Sequence, residues 1–416
     1  MNLPKIAFSN YTRTIECDNK VVIYNRKNGQ WIRVSKEVYD IFKYAVNNKL
    51  NINELNINEL NNCIVNDEDK KFMTEVYNRL FNKKLVNNTF KSKNIKSISF
   101  ELTNRCNLKC IHCCVDADIN HRYELSTVQI KTLFDRVLPW NPDSIMLSGG
   151  EPMIRKDFIE LLIYLRNKYS GEIILATNAT LIDDENINFL VENVDKIDIS
   201  IDGIDEKSCS QIRGKGVFKK VIKNIEKLKK VNYNNITLSM VVGDKNEDME
   251  EKFIELNKSL GIHPVLRRFS PIGRGKYNDG YFLDDSGGKF FISKKYLSDD
   301  YSGSINICTC SAGSEEVIVR YNGDVYPCPS YMNENMLLGN LCSNDFADKL
   351  FTKNYDLLED VIYKTFSECR DCKVNIFCWT CPGSLVDIKN IRNFSNRCDK
   401  LKPILFKRVW GEYLCQ

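Results

Sequence analysis

The distribution of cysteines constrains this chain more than any other feature. Three of them form the spacing Cys106-x3-Cys110-x2-Cys113, and nine of the seventeen lie between Cys308 and Cys398. Seventeen cysteines among 416 residues is about 4%, too few for a small disulfide-stapled scaffold. The N-terminus has no apolar signal-peptide core, and no run approaches the roughly 18 apolar residues of a membrane span. We therefore expect a cytoplasmic protein whose reduced thiols bind metal.

Length and charge narrow the class of protein further. A chain of 416 residues allows two or three domains, and its 43% apolar and 27% charged residues are ordinary for a folded globular protein. Basic residues number 59 and acidic residues 55, which leaves a net charge of only +4. So small an imbalance argues against nucleic acid or a membrane as the partner.

Residues 1–90 predict a small separate domain. Two β-rich runs flank a turn that contains Asn28-Gly29, which is a strong hairpin signal. Ser35 is a candidate N-cap for the first of two amphipathic helices that follow. The predicted elements are strands 21–24 and 31–34, helices 36–46 and 67–81, and a short helix or turn over the repeated pentapeptide at 51–60.

Strand and helix patterns alternate over residues 96–270. This alternation predicts parallel βαβ units, and six strands favour an open or partial barrel with its active site at the carboxyl ends of the strands. The predicted strands are 98–102, 144–147, 173–176, 196–201, 236–242 and 265–268. The predicted helices are 126–138, 157–168, 183–193, 217–231 and 246–260.

The rest of the chain has three parts. Residues 271–307 are rich in Gly, Asp and Ser and predict a linker. Residues 308–400 hold nine cysteines and predict a metal-binding module. Residues 401–416 predict a closing helix.

The first cysteine motif directly follows the first predicted barrel strand. Three thiolates separated by three and two residues can converge on one iron-sulfur cluster and leave one metal position open. A structural zinc site that uses Cys106, Cys110, Cys113 and Cys114 is the alternative.

This motif, coupled to Gly149-Gly150-Glu151 at the next strand end, resembles the signature of the radical S-adenosylmethionine (SAM) superfamily. His112 stands where that family usually has a phenyl-type aromatic residue. The resemblance implies a 4Fe-4S cluster on Cys106, Cys110 and Cys113 whose fourth iron binds SAM. It also implies that SAM is contacted by Gly149, Gly150, Glu151, Asn178, Ser200, Asp202 and Arg213.

The second cysteine group resembles the SPASM extension of radical SAM enzymes. Its pattern is Cys310-x12-Gly323-x4-Cys328, followed by Cys369-x2-Cys372-x5-Cys378-x2-Cys381 and Cys398, with two residues rather than three before Cys381. The resemblance implies two auxiliary 4Fe-4S clusters, and so three clusters in all. One would be held by Cys369, Cys372, Cys378 and Cys398, and the other by Cys310, Cys328 and Cys381. The fourth ligand of the latter stays open between Cys308, Cys342 and a substrate thiol, and a pair of zinc ribbons is the alternative to both clusters.

Taken together, the chain resembles sactipeptide and ranthipeptide synthases. The expected fold is α/β, with a partial (β/α)6 TIM-like barrel, a winged-helix-like N-terminal domain and a C-terminal SPASM domain. The N-terminal domain would bind the leader of a ribosomally synthesised precursor peptide by strand addition, unless it is a structural cap or dimerisation module. The implied activity is thioether cross-linking between cysteine sulfur and carbon, with electrons from a donor such as flavodoxin or ferredoxin.

Three other functions stay open at this point. A carbon-carbon cross-linking maturase carries the same motifs. An anaerobic sulfatase-maturing-type dehydrogenase would carry an Asp after the cysteine that matches Cys328, where this chain has Pro329. A non-catalytic iron-sulfur scaffold is disfavoured because the SAM-binding motifs are intact.

Overall fold

Two sheets organise the chain in the computed structural model, which describes residues 4–54, 67–89, 95–284, 292–343, 367–378, 381 and 394–411. The strands are β1 (Thr12–Cys17), β2 (Lys20–Asn25), β3 (Trp31–Ser35), β4 (Ser97–Glu101), β5 (Ser144–Ser148), β6 (Glu172–Thr177), β7 (Lys196–Ser200), β8 (Ile236–Val242), β9 (His263–Arg268), β10 (Glu316–Val319), β11 (Asp324–Tyr326) and β12 (Gly339–Asn340). The first three form an antiparallel sheet, and the other nine form a second sheet in the order β12-β11-β10-β4-β5-β6-β7-β8-β9.

The helices lie mainly between these strands. They are α1 (Lys36–Asn47), α2 (Asp67–Asn82), α3 (Thr127–Val137), α4 (Phe158–Lys168), α5 (Ile187–Asn193), α6 (Glu206–Arg213), α7 (Val217–Lys230), α8 (Glu250–Leu260) and α9 (Lys294–Leu297). Short helical segments at Ser367–Arg370 and Asn375–Cys378 precede the C-terminal helix, Phe394–Trp410. Within the described part of the chain, no helix is long and apolar enough to cross a membrane.

Strands β4 to β9 are parallel and lie side by side in chain order, which confirms the partial barrel. Alternation along each strand separates two environments. Ile145 and Leu147 of β5 are fully buried in the main hydrophobic core, whereas Met146 and Ser148 face a central cavity. Each observed barrel strand lies within two residues of its predicted bounds.

Helix α6 is absent from the prediction. Its sequence, EKSCSQIR, is mostly polar and buries only Ser208 and Cys209, so it shows little apolar periodicity. A local cap fixes its start, because the Asp205 carboxylate accepts a hydrogen bond from the Ser208 N–H at 2.7 Å. The helix ends at Arg213 and so brings that side chain to the mouth of the barrel.

The cysteine-rich module contributes strands that sequence analysis did not find. Strand β10 pairs with β4 in parallel, with Val317 opposite Ile98, and β11 and β12 extend the same sheet. Pairing partners more than 200 residues apart leave no local trace in a sequence. The module is therefore a continuation of the barrel wall.

The N-terminal domain contains the predicted hairpin and both predicted helices, with β1 as an additional strand. Val21 and Ile23 of β2 pack within the domain, whereas Val22 and Tyr24 pack against the cysteine-rich module and the C-terminal helix. The Arg33 guanidinium also donates to the Val409 carbonyl at 2.6 Å. The domain is thus packed onto the C-terminal part of the chain.

Two terminal predictions need adjustment. The C-terminal helix begins at Phe394, before the predicted residue 401, and includes Pro403 in its interior. Of the repeated pentapeptide, 52–54 form a 3-10 turn and 55–60 lie outside the described residues, as do 412–416.

Candidate functional site

The carboxyl ends of the barrel strands open onto a cavity of about 450 Å³. The thiols of the first cysteine motif line it, as do all but one of the residues predicted to contact SAM. Those lining residues are Cys106, Cys110, Cys113, Gly149, Gly150, Asn178, Ser200, Asp202 and Arg213. The structure therefore brings residues from four strand ends and helix α6 to one place.

The sulfur atoms of Cys106, Cys110 and Cys113 each accept a hydrogen bond from a nitrogen donor. Hydrogen bonds to sulfur are one of the means by which proteins tune iron-sulfur clusters. Burial raises the pKa of Cys106 to about 12, so a bound metal must displace its proton. The donors are the Leu108 N–H to Cys106 Sγ (3.4 Å), Arg213 Nη1 to Cys110 Sγ (3.7 Å) and the Ala117 N–H to Cys113 Sγ (3.4 Å).

The chemistry of these three thiols fits an iron-sulfur cluster. A 4Fe-4S cluster binds each thiolate through a different iron, so its ligands need not converge on one point. The donor set, three thiolates with sulfur-directed donors around a shared cavity, fits such a cluster.

Gly149 and Gly150 fasten the base of the cysteine loop to β5. Gly149 has φ +139, and a Cβ there would lie 2.3 Å from the Thr103 carbonyl oxygen. A Cβ on Gly150 would lie 2.2 Å from the Arg105 carbonyl oxygen. The Gly150 N–H donates to the Thr103 carbonyl at 2.9 Å. Only glycine permits this close approach of the two backbones.

Glu151 lies behind the glycines and does not line the cavity. It is fully buried, and its carboxylate accepts hydrogen bonds from the Thr177 hydroxyl and the Asn178 N–H, both at 2.8 Å. Burial raises the pKa of Glu151 to about 7. The Asn178 amide donates in turn to Asn107 of the cysteine loop at 2.9 Å. Glu151 thus ties the ends of β5 and β6 together.

Asp202 is the centre of a buried ionic network. It is 2% exposed, and its Oδ2 lies 2.7 Å from Arg213 Nε and 2.9 Å from His112 Nε2. Its Oδ1 accepts from the Val241 N–H at 2.6 Å. Burial alone would raise the pKa of Asp202, but Arg213 and His112 outweigh burial and hold it well below its usual range. Arg213, which the resemblance implies contacts SAM, is paired here with Asp202.

The segment after β9 supports the cysteine loop, a contribution that sequence analysis missed. Arg274 Nε donates to the Cys110 carbonyl at 2.8 Å, and the Arg274 N–H donates to the Cys113 carbonyl at 2.9 Å. Gly273 has φ +55, and a Cβ there would lie 2.4 Å from the Cys113 carbonyl oxygen. The available signal was the Gly-Arg-Gly sequence at 273–275, shortly after strand β9, in a stretch interpreted only as linker.

A second group of thiols lies in the cysteine-rich module. Burial raises the pKa of Cys310 to about 11 and of Cys328 to about 12, and the nearby Cys381 adds to both shifts. The fully buried Tyr331 lies close to these three thiols and to Cys308. Cys342 is elsewhere, since it is exposed and its sulfur would be 2.7 Å from a Cβ on Gly323. The structure thus favours Cys308 over Cys342 as a neighbour of this group.

The remaining predicted ligands lie next to the C-terminal helix. The Cys369 carbonyl accepts hydrogen bonds from the Cys372 N–H at 3.3 Å and from the Asn375 side chain at 2.8 Å. The helical segment that ends at Cys378 packs against the C-terminal helix, which carries Cys398. The segment that carries Cys369, Cys372 and Cys378 is therefore next to the helix that carries Cys398.

Comparison with known proteins identifies two domains. Residues 100–256 match the family model of the radical SAM superfamily, and residues 308–373 match the SPASM model, described as an iron-sulfur cluster-binding domain. These domains imply SAM and iron-sulfur clusters. The mycofactocin maturase MftC of Mycolicibacterium smegmatis is 28% identical over 268 residues, which is 59% of this chain and 67% of that protein.

Two solved structures share the fold. SuiB of Streptococcus suis bound to the precursor peptide SuiA superposes with a TM-score of 0.53 at 15% identity, over 93% of this chain and 97% of that one. The protein anSMEcpe with bound AdoMet superposes with a TM-score of 0.51 at 20% identity, over 76% of this chain and 100% of that one. At these identities the likeness establishes the fold alone.

Proposed function

Because the chain contains a radical SAM domain and a SPASM domain, we propose that it modifies a ribosomally synthesised precursor peptide by joining cysteine sulfur to carbon. The similarity to MftC, which is named as a maturase, supports a peptide substrate, and so does the shared fold with SuiB, whose structure contains a precursor peptide. The observation that supports the thioether assignment is the grouping of Cys310, Cys328 and Cys381, three thiols that leave one cluster position for a fourth ligand, with Cys308 as the competing internal ligand.

The proposed cofactor ligands follow from the cavity. Cys106, Cys110 and Cys113 would hold a 4Fe-4S cluster, and Gly149 and Gly150 would bind the methionine part of SAM beside it. When bound and reduced by a donor such as flavodoxin or ferredoxin, this pair of cofactors supplies a 5′-deoxyadenosyl radical that removes hydrogen from an unactivated carbon. The other SAM contacts would come from Asn178, Ser200, Asp202 and Arg213, with Glu151 holding the two strand ends.

The cysteine-rich module would hold two further 4Fe-4S clusters. Cys369, Cys372, Cys378 and Cys398 would supply a complete set of four thiolates to one. Cys310, Cys328 and Cys381 would supply three to the other, and a substrate thiolate would take its fourth position. Pro329 and Ser330, directly after Cys328, line the barrel cavity. A thiol held there would therefore be close to the chamber in which the carbon is activated.

The fourth ligand of the cluster held by Cys310, Cys328 and Cys381 gives the first test of this function. We expect Cys308→Ala and Cys342→Ala each to retain about twelve irons per chain and to form the thioether, seen as a loss of two hydrogens per bridge. The measurements are iron counting and tandem mass spectrometry of the precursor encoded beside the enzyme. Cys342→Ala is the matched control, because Cys342 lies away from the thiol group. Loss of a cluster in Cys308→Ala would make Cys308 an internal ligand, and a carbon-carbon bridge in the product would replace the thioether assignment.

Strand β3 offers an edge for leader recognition. The Asn25 N–H donates to the Gln30 carbonyl and the Lys36 N–H donates to the Asn19 carbonyl, which fixes the hydrogen-bonded pairs of the β2-β3 ladder. By the alternation of an antiparallel ladder, the N–H and C=O groups of Trp31 and Arg33 face away from β2. In the described residues no further strand pairs with this edge. We propose that the leader adds there as a fourth strand.

Proline substitution tests this edge without breaking the sheet. Arg33→Pro removes an outward N–H that the β2-β3 ladder does not use, and edge positions tolerate proline. We expect it to weaken precursor binding about tenfold, measured by fluorescence anisotropy with a labelled full-length precursor. Arg33→Ala is the control, because it loses the same contact with Val409 but keeps the backbone donor. Equal affinities of the two variants would reject strand addition at β3.

A further inference from the structure

The inner wall of the barrel is built from short side chains, which leaves a chamber for a substrate. Ser99, Ala176, Ser200 and Ser239 come from four strands and all line the cavity. Its volume of about 450 Å³ is typical of small-molecule sites, and the substrate would approach the part of it that the proposed cluster and SAM leave open.

Glu101 is the carboxylate that β4 contributes to this wall. It is the last residue of β4, lines the cavity and is only 3% exposed. Its Oε2 accepts from Arg320 Nε at 2.9 Å, whereas its buried Oε1 has no hydrogen-bond partner among the residues that the structure describes. Leaving a buried carboxylate oxygen unsatisfied costs about 1–3 kcal/mol or more. An N–H or O–H group that enters the cavity would recover that cost.

Arg320 holds Glu101 in place from the cysteine-rich module. Arg320 directly follows β10, the strand that pairs with β4. Its guanidinium lies 5.2 Å from the ring centroid of Tyr321, and that ring packs edge-on against His121 at 4.7 Å. Glu101 is thus fixed where the barrel and the cysteine-rich module meet.

This position belongs to the substrate side of the cavity. Gly149 and Gly150, proposed to bind the methionine part of SAM, follow the neighbouring strand β5, whereas the proposed SAM contacts on β6 and β7 are further from β4. Glu101 is instead next to β10, on the side from which Ile318, Pro329 and Ser330 line the same cavity. Glu101 therefore lines the cavity between the SAM-binding strands and the segment that follows Cys328.

We propose that Oε1 of Glu101 accepts a hydrogen bond from a backbone N–H of the peptide residue being modified and so sets which residue meets the radical. This inference rests on the proposed peptide-modifying function. A neutral amide suits the site better than a cationic side chain, because Arg320 already compensates the carboxylate and Arg267 lines the same cavity. Leader recognition at the N-terminal domain places the precursor near the barrel, and Glu101 determines which residue of the precursor lies at the site of the radical.

The test compares Glu101→Leu with Glu101→Gln, using the full-length precursor encoded beside the enzyme and the cluster-loaded protein. The measured quantities are modified peptide per 5′-deoxyadenosine formed and the position of each modification by tandem mass spectrometry. We expect the ratio to fall about tenfold in Glu101→Leu, with modification spreading to neighbouring residues. Glu101→Gln keeps an accepting oxygen, so its ratio should fall less. Glu172→Leu, an exposed glutamate at the opposite end of β6, is the matched control and should keep the wild-type ratio.

The outcomes separate this inference from the function on which it rests. A wild-type ratio and an unchanged modification site in Glu101→Leu would overturn the inference alone. A parallel fall in deoxyadenosine and in modified peptide, with a constant ratio, would make Glu101 a structural residue and also overturn it. If the wild-type protein cleaves SAM but modifies no residue of the precursor, the proposed function fails and the inference falls with it.

Discussion

Replacing Cys106, Cys110 and Cys113 together by alanine is expected to remove about four irons per chain and to abolish SAM cleavage. The three sulfurs line one cavity, and a nitrogen donor lies within 3.7 Å of each. Without thiolates, nothing of comparable affinity for iron replaces them. The measurements are the iron content after anaerobic purification and the amount of 5′-deoxyadenosine formed, determined by chromatography. The absorbance at about 400 nm, which is typical of iron-sulfur proteins, is also recorded.

Cys114→Ala is the control for that triple variant. Cys114 adjoins the motif and lines the same cavity, and it would be the fourth ligand of a zinc site. The cluster assignment requires Cys114→Ala to keep its iron and its SAM cleavage. The zinc alternative predicts instead that the wild-type protein contains stoichiometric zinc and no iron, and that Cys114→Ala loses the zinc. That result would overturn the cluster assignment.

The local pattern of apolar and polar residues was sufficient to predict most of the fold. Parallel strands buried on both faces, such as β8, appear as short apolar runs between amphipathic helices, so their existence and bounds are visible in sequence. Helix α5 shows where this fails: it begins at Ile187, four residues after the predicted start. The Asp183 carboxylate there accepts from the Glu185 and Asn186 N–H groups at 3.0 Å and forms a turn instead.

Non-local contacts account for what sequence could not reveal. The pairing of β10 with β4 joins segments more than 200 residues apart, and it places Arg320 against Glu101. Spacing motifs identified the loop cysteines because those ligands are close in sequence. They could not show that Glu151 is bound to Thr177 and Asn178 at the end of another strand instead of lining the cavity.

Asp202→Asn is expected to destabilise the protein by about 3–5 kcal/mol, the usual cost of leaving a buried charge unpaired. The asparagine would still accept from the Val241 N–H, but the Arg213 guanidinium, with only 10% of its side chain exposed, would lose its anionic partner. Because folding lowers the pKa of Asp202, its contribution is present above the ordinary Asp pKa of about 4 and is lost as the pH falls below it. Unfolding measured near pH 7 (about three pH units above that value) therefore reports the full effect.

A double-mutant cycle separates the unpaired charge from the loss of packing. Asp202→Asn/Arg213→Met should be less destabilised than the two single changes added together, because removing Arg213 removes the uncompensated charge. Asp135→Asn is the control: it breaks an exposed pair with Lys168 at 2.8 Å, and such pairs contribute about 0–1 kcal/mol. Arg213 Nη1 also lies 3.7 Å from Cys110 Sγ, so iron content is measured alongside the free energy of unfolding. Additive losses in the cycle would show that Asp202 contributes by packing alone and would remove the ionic network from the description of the site.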